Sequence, residues 1–87
     1  MPSYDVLVEV CLRPGIADPQ GATIERSLPA LGFDGMSGVR MGKAIRLSVE
    51  AADEDDARQR VTACCDRFLT NPVIEDATIS LHPAPPA

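Results

Sequence analysis

Gly38-Val39-Arg40-Met41-Gly42-Lys43-Ala44 stands at the middle of the 87-residue chain, and its reading decides the fold. Beyond it the sequence alternates, Ile45, Leu47 and Val49 against Arg46, Ser48 and Glu50. Period-two alternation puts one set on a core and the other in water, so residues 44–50 read as a strand with one wet face. A partner strand is expected around residues 36–41, with Gly42 making the turn. Residues 39–43 are then the tip of a β-hairpin with a cation, Arg40 or Lys43, on each side of Gly42. The run superficially resembles a phosphate loop but fails as one. Three residues separate its glycines instead of four, Ala44 replaces the Ser/Thr, and no helix N-terminus follows to face a phosphate.

Working outward, residues 4–12 alternate with Tyr4, Val6, Val8, Val10 and Leu12 on one side, the pattern of a half-buried strand. Leu7 and Cys11 fall on the opposite side, which suits either an ordinary sheet surface or a subunit contact. Arg13-Pro14-Gly15 ends the strand, and Asp18-Pro19 starts a helix. The carboxylate caps free N–H groups, and proline at the first helical position gives up a hydrogen bond that it would not have made. Ile24, Leu28 and Leu31 share a face of this helix, which is expected to end near Gly32, with Pro29 kinking or tightening its last turn.

On the far side, Asp53-Glu54-Asp55-Asp56 opens a second helix, where negative charge is favoured. Four consecutive acids point around a helix and do not converge on one metal ion. The apolar stripe is expected at Ala57, Val61, Cys64 and Phe68, with Cys65 flanking it. Asn71-Pro72 stops that helix. Residues 73–81 read as the last strand, with Ala77, Ile79 and Leu81 on one side. The whole is expected to be an α+β, ferredoxin-like βαββαβ two-layer sandwich, an antiparallel sheet with two helices on one face. Residues 1–82 form a single domain in this reading. Residues 83–87 form a proline-rich tail with His82, the only histidine, solvated at its edge.

Composition excludes several functions. A formal charge of −5 and only three aromatic residues disfavour nucleic acid, which needs clustered cations or stacking platforms. No apolar run of about 18 residues is present to span a membrane. The N-terminus lacks a signal-peptide pattern, and three cysteines, two of them adjacent, make neither a disulfide framework nor a zinc spacing. A cytoplasmic home is the simplest expectation. No nucleophile has a base at hand: Cys11 lies mid-strand without a nearby histidine, and Glu75 and Asp76 point to opposite faces. Accordingly, no catalytic, metal or cofactor-binding residue is expected. The partner-contact candidates are Arg40, Lys43, Leu7 and Cys11.

Four motifs in this order, Asp18-Pro19-Gln20-Gly21, Leu31-Gly32-Phe33, Val39-Arg40-Met41-Gly42-Lys43 and Asn71-Pro72-Val73-Ile74-Glu75-Asp76, resemble the PurS family. The resemblance runs from Tyr4 to about Leu81. It departs at Ala44 and Ala77, where the family usually has an aromatic and a tyrosine, and at Pro29 inside the first helix. PurS is the small subunit of phosphoribosylformylglycinamidine (FGAM) synthase in de novo purine (IMP) biosynthesis. The resemblance implies a subunit without an active site of its own, in a ligase complex that uses ATP, Mg and glutamine. It would bridge the PurL synthetase and the PurQ glutaminase, assist ammonia transfer between them, and associate with itself as a dimer or tetramer. The competing reading from the fold class is an ACT-like regulatory domain that binds a small effector at a dimer interface.

Overall fold

The computed structural model describes residues 1–84; of the tail expected at 83–87, residues 85–87 lie outside the described residues. The chain runs β1 (Ser3–Leu12), α1 (Pro19–Ser27), a 3-10 turn (Pro29–Leu31), β2 (Gly42–Glu50), α2 (Glu54–Cys64), a π-helical turn (Cys65–Leu69) and β3 (Glu75–Pro83). The strands form one antiparallel sheet in the order β2-β1-β3. This is the sheet with two helices expected of the ferredoxin-like class, with β1 at the centre.

Alternation in β1 does what the sequence requires. Tyr4, Val6, Val8 and Val10 are buried, and Val8 sits level with Ile45 on one side and Ile79 on the other. α2 covers this face with Ala57, Val61 and Cys65, and Ile45, Leu47, Val49, Leu69 and Ile79 pack around the margin. Removing this apolar surface from water supplies the main drive for folding, roughly 25 cal/mol per Å². The opposite face is polar, with Asp5, Glu9, Arg46, Ser48 and His82 exposed. β3 continues through Pro83, which pairs with Tyr4, and the Ala84 N–H donates to Ser3 O at 2.9 Å.

Two local expectations are corrected. Residues 36–41 form no strand, so 39–43 is not a hairpin tip. Gly35 and Gly38 both adopt left-handed φ, +81° and +69°, which turns the backbone away from extension. Gly42 has no positive φ and begins β2. A glycine is needed there for space, since a Cβ would stand 2.9 Å from Val10 O.

The second correction concerns the α2 stripe. Cys65 is buried and Cys64 exposed, and Phe68 is 83% exposed. Cys65 continues the i+4 row of Ala57 and Val61, and after it comes the π turn, closed by Thr70 N–H donating to Cys65 O at 3.0 Å, five residues back. The wider turn shifts the phase, so Leu69 meets the core where regular spacing puts Phe68.

α1 starts and ends as its punctuation requires. Asp18 accepts from Gly21 N–H, and Pro29 begins a 3-10 turn that closes on Gly32 at φ +90°. α1 nevertheless hardly touches the sheet, and Gly21 is its one buried residue. Ile24, Leu31, Phe33, Met36 and Met41 are left exposed around it. The chain is accordingly elongated, 52 × 30 × 15 Å.

Candidate functional site

The most ordered polar cluster lies where α1 leaves the sheet, and Asp18 is its centre. One carboxylate oxygen, Oδ1, accepts from Gly21 N–H at 2.9 Å and the other, Oδ2, from Met41 N–H at 2.7 Å. These two N–H groups, helped by the nearby Arg40 charge, hold the Asp18 pKa below its ordinary 3.8. Glu25, two turns into α1, accepts from Val39 N–H at 2.8 Å. Arg40 reaches back to the β1–α1 connection and donates to the carbonyls of Leu12, Arg13 and Ile16 at 3.3 to 3.5 Å. Two acids and one base therefore fix residues 39–41 against the start of α1.

Beside this latch is an open cleft of about 270 Å³ walled by Val10, Asp18, Gln20, Met41, Lys43 and Glu75. Lys43 Nζ stands 3.7 Å from Glu75 Oε2, and Arg13 Nε stands 3.3 Å from Asp76 Oδ1. The Arg13–Asp76 pair is largely solvated and adds little stability, whereas the Glu75 side chain in the other pair is only 16% exposed. Both pairs orient the cleft's rim. Glu75 also accepts from Asn71 N–H at 2.7 Å, which ties the rim to the turn after α2.

The four sequence candidates thus separate into two places. Arg40 and Lys43 are at the cleft end, exposed but engaged with Leu12, Arg13, Ile16 and Glu75. Leu7 and Cys11 are on the polar face of β1, Leu7 half-buried between Arg46 and Ser80, Cys11 exposed between Gly42 and Asp76. The structure does not bring these two pairs together. Glu25 and the second hydrogen bond of Asp18 escaped sequence reading. An Asp-Pro-x-Gly cap is visible as local grammar, but its partner 23 residues away leaves no local mark. Among the described residues, no three His, Cys, Asp or Glu side chains converge as metal ligands. No helix among the described residues is long and apolar enough to cross a membrane.

This arrangement offers a hydrogen-bonded polar latch and exposed apolar surface around α1. The model of the PurS family, phosphoribosylformylglycinamidine (FGAM) synthase, matches residues 5–83. The chain belongs to the PurS family. Among its relatives is the Synechocystis phosphoribosylformylglycinamidine synthase subunit PurS, 46% identical over 74 residues, 85% of this chain and 74% of that one. The solved structure of Methanocaldococcus jannaschii PurS covers 91% of this chain and 95% of its own, with a TM-score of 0.82 and 33% identity. A chain in the structure of PurLQS from Thermotoga maritima is 34% identical and is matched along its entire length, with a TM-score of 0.87 over 94% of this chain. As a PurS, the chain is a subunit of FGAM synthase.

Proposed function

We propose that this chain is the non-catalytic subunit that bridges a PurL-type synthetase and a PurQ-type glutaminase in de novo purine biosynthesis. In that complex ATP, Mg and glutamine are used by the larger subunits, and this chain assists the transfer of ammonia between them. The carrying observation is the end-to-end likeness to the chain in the Thermotoga maritima PurLQS structure. The site chemistry agrees, because every strongly held polar group in the latch is occupied by the chain's own backbone. A cytoplasmic location and self-association belong to the same reading.

Within it, the partner contacts are assigned to Arg40 and Lys43 at the cleft end and to Leu7 and Cys11 on the outer sheet face. Cations on a protein of charge −5 are suited to acidic partner surfaces. Lys43→Glu is the cleaner probe, since Arg40 also holds three carbonyls. It should weaken assembly and leave the circular dichroism of the isolated chain unchanged. Assembly of Lys43→Glu at wild-type strength would remove Lys43 from the contact. Copurification with the synthetase and glutaminase subunits tests the bridging role itself. A chain that captures neither would sink it.

A further inference from the structure

The connection between the 3-10 turn and the latch carries Asp34-Gly35, the one place in the chain where an aspartate precedes a glycine. Residues 31–38 are all exposed, and Asp34 and Gly35 lie in a turn outside every helix and strand. Gly35 has φ +81°, with nothing within 4 Å of where a Cβ would stand. Among the described residues, no ion pair engages the Asp34 carboxylate and no backbone hydrogen bond engages the Gly35 N–H. The carboxyl carbon of Asp34 and the nitrogen of Gly35 are therefore both unshielded and free to approach each other. Every other aspartate is held. Asp18 precedes Pro19, which has no N–H, and its two oxygens are taken by Gly21 and Met41. Asp53 caps α2 by accepting from Asp56 N–H at 2.8 Å. Asp5 and Asp76 lie in strands, and Asp55, Asp56 and Asp66 in α2 and its π turn, where regular backbone keeps the following nitrogen away from the side chain. Asn71, the only asparagine, precedes Pro72.

We propose that Asp34-Gly35 is a modification site, where the folded chain isomerises spontaneously through a succinimide to a β-linked isoaspartate. The Gly35 nitrogen attacks Cγ of the Asp34 carboxyl in its protonated form. The N–Cγ bond forms, and the amide proton and the carboxyl hydroxyl leave together as water. Water then adds to either carbonyl of the five-membered imide. Breaking the N–Cγ bond restores aspartate, whereas breaking the bond from nitrogen to the α-carbonyl carbon leaves the main chain running through the side chain. Nothing is oxidised or reduced, and water is the only co-reactant. Glycine suits the step because it has no Cβ to crowd the ring and populates both signs of φ. The added methylene falls between Gly32 and Gly38, both left-handed. No residue of that stretch pairs in the sheet, so the longer main chain shifts no strand.

This chemistry is independent of the synthase role, and its test reads a peptide, not activity. The full chain is held folded at neutral pH, checked by circular dichroism, and sampled over days. Trypsin cuts after Arg26 and Arg40 and releases residues 27–40, in which Asp34 is the single acidic residue. The isoaspartyl peptide has the same mass as its parent but a different retention time. It also accepts a methyl group from S-adenosylmethionine through a protein isoaspartyl methyltransferase. Oxidation of Met36, in the same peptide, changes the mass and is not confused with it. Isoaspartate should accumulate in 27–40 and in no other aspartate-bearing peptide. Its rate should match that of the synthetic peptide 27–40, since the fold leaves the dipeptide unshielded. Asp34→Glu, which would need a six-membered imide, should lose the signal, and its exposure leaves the core intact. A folded chain that stays unmodified while the free peptide isomerises would overturn the proposal. So would a free peptide that is itself inert, equal isoaspartate at other sites, or methyl acceptance that survives Asp34→Glu.

Discussion

Replacing Gly21 by alanine should destabilise this chain, against the ordinary preference of a helix. Alanine in a helix interior is favoured over glycine by roughly 0.8–1.0 kcal/mol. At Gly21, however, a Cβ would stand 2.6 Å from Asp18 Oδ2 and 2.6 Å from Val39 O, far inside ordinary contact. Neither atom can retreat without loss. Asp18 is held by Gly21 and Met41, and the backbone at Val39 is held by Glu25. Overpacking of this kind costs about 1–3 kcal/mol, and two rigid contacts put Gly21→Ala toward the upper end. Setting the helix gain against about 3 kcal/mol leaves about 2 kcal/mol of net destabilisation. At 4–8 °C per kcal/mol for a domain of this size, Tm should fall by roughly 8–16 °C. Urea unfolding followed by far-ultraviolet circular dichroism at fixed protein concentration reads it, since self-association would otherwise move the midpoint. Ala22→Gly, at an exposed neighbour, supplies the helix-propensity scale in the same element. A Gly21→Ala chain as stable as wild type, or more stable, would refute the latch geometry.

Phase in α2 can be tested by substitution. Phe68→Ser should change stability by no more than about 0.5 kcal/mol because the ring is solvated, whereas Cys65→Ser, which puts a hydroxyl in the core, should cost more than 1 kcal/mol. Val8→Ala, at a fully buried position between Ile45 and Ile79, should cost about 2 kcal/mol in the same urea assay. The acid limb of stability should carry Asp18 and Asp56, whose pKa values are both lowered, Asp18 chiefly by the Gly21 and Met41 N–H groups and Asp56 chiefly by the Ala52 N–H. A depressed folded pKa gives stability that is complete above the ordinary value of 3.8 and is lost as pH falls toward the folded value. Asp18→Asn should therefore flatten the decline of Tm below that pH; an unchanged acid limb would exclude Asp18 as an anchor.

What the sequence made legible follows from range. β1 was readable because its alternation is uninterrupted and both neighbours bury the same set. The starts of α1 and α2 were readable because Asp18-Pro19 and the acidic run at 53–56 act within one turn. Residues 36–41 misled because Gly42 reads as a hairpin turn that calls for a partner strand, while the deciding feature is backbone conformation at Gly35 and Gly38. The π turn was illegible for a related reason. It changes the helical period after Cys64, and nothing in Cys64-Cys65-Asp66 announces it. At the site, Asp18 was visible as a cap but not as the anchor of Met41. Arg40 was singled out for its charge, yet its position is set by carbonyls in the β1–α1 connection.

The bridging assignment is tested most directly by reconstitution with purified PurL-type and PurQ-type subunits. FGAM formation is measured with glutamine and, separately, with free ammonia as the nitrogen source. Omitting this chain should abolish or sharply reduce the glutamine-driven rate while leaving the ammonia-driven rate largely intact, and the chain alone should turn over nothing. A glutamine-driven rate that is unchanged without the chain would contradict the assignment.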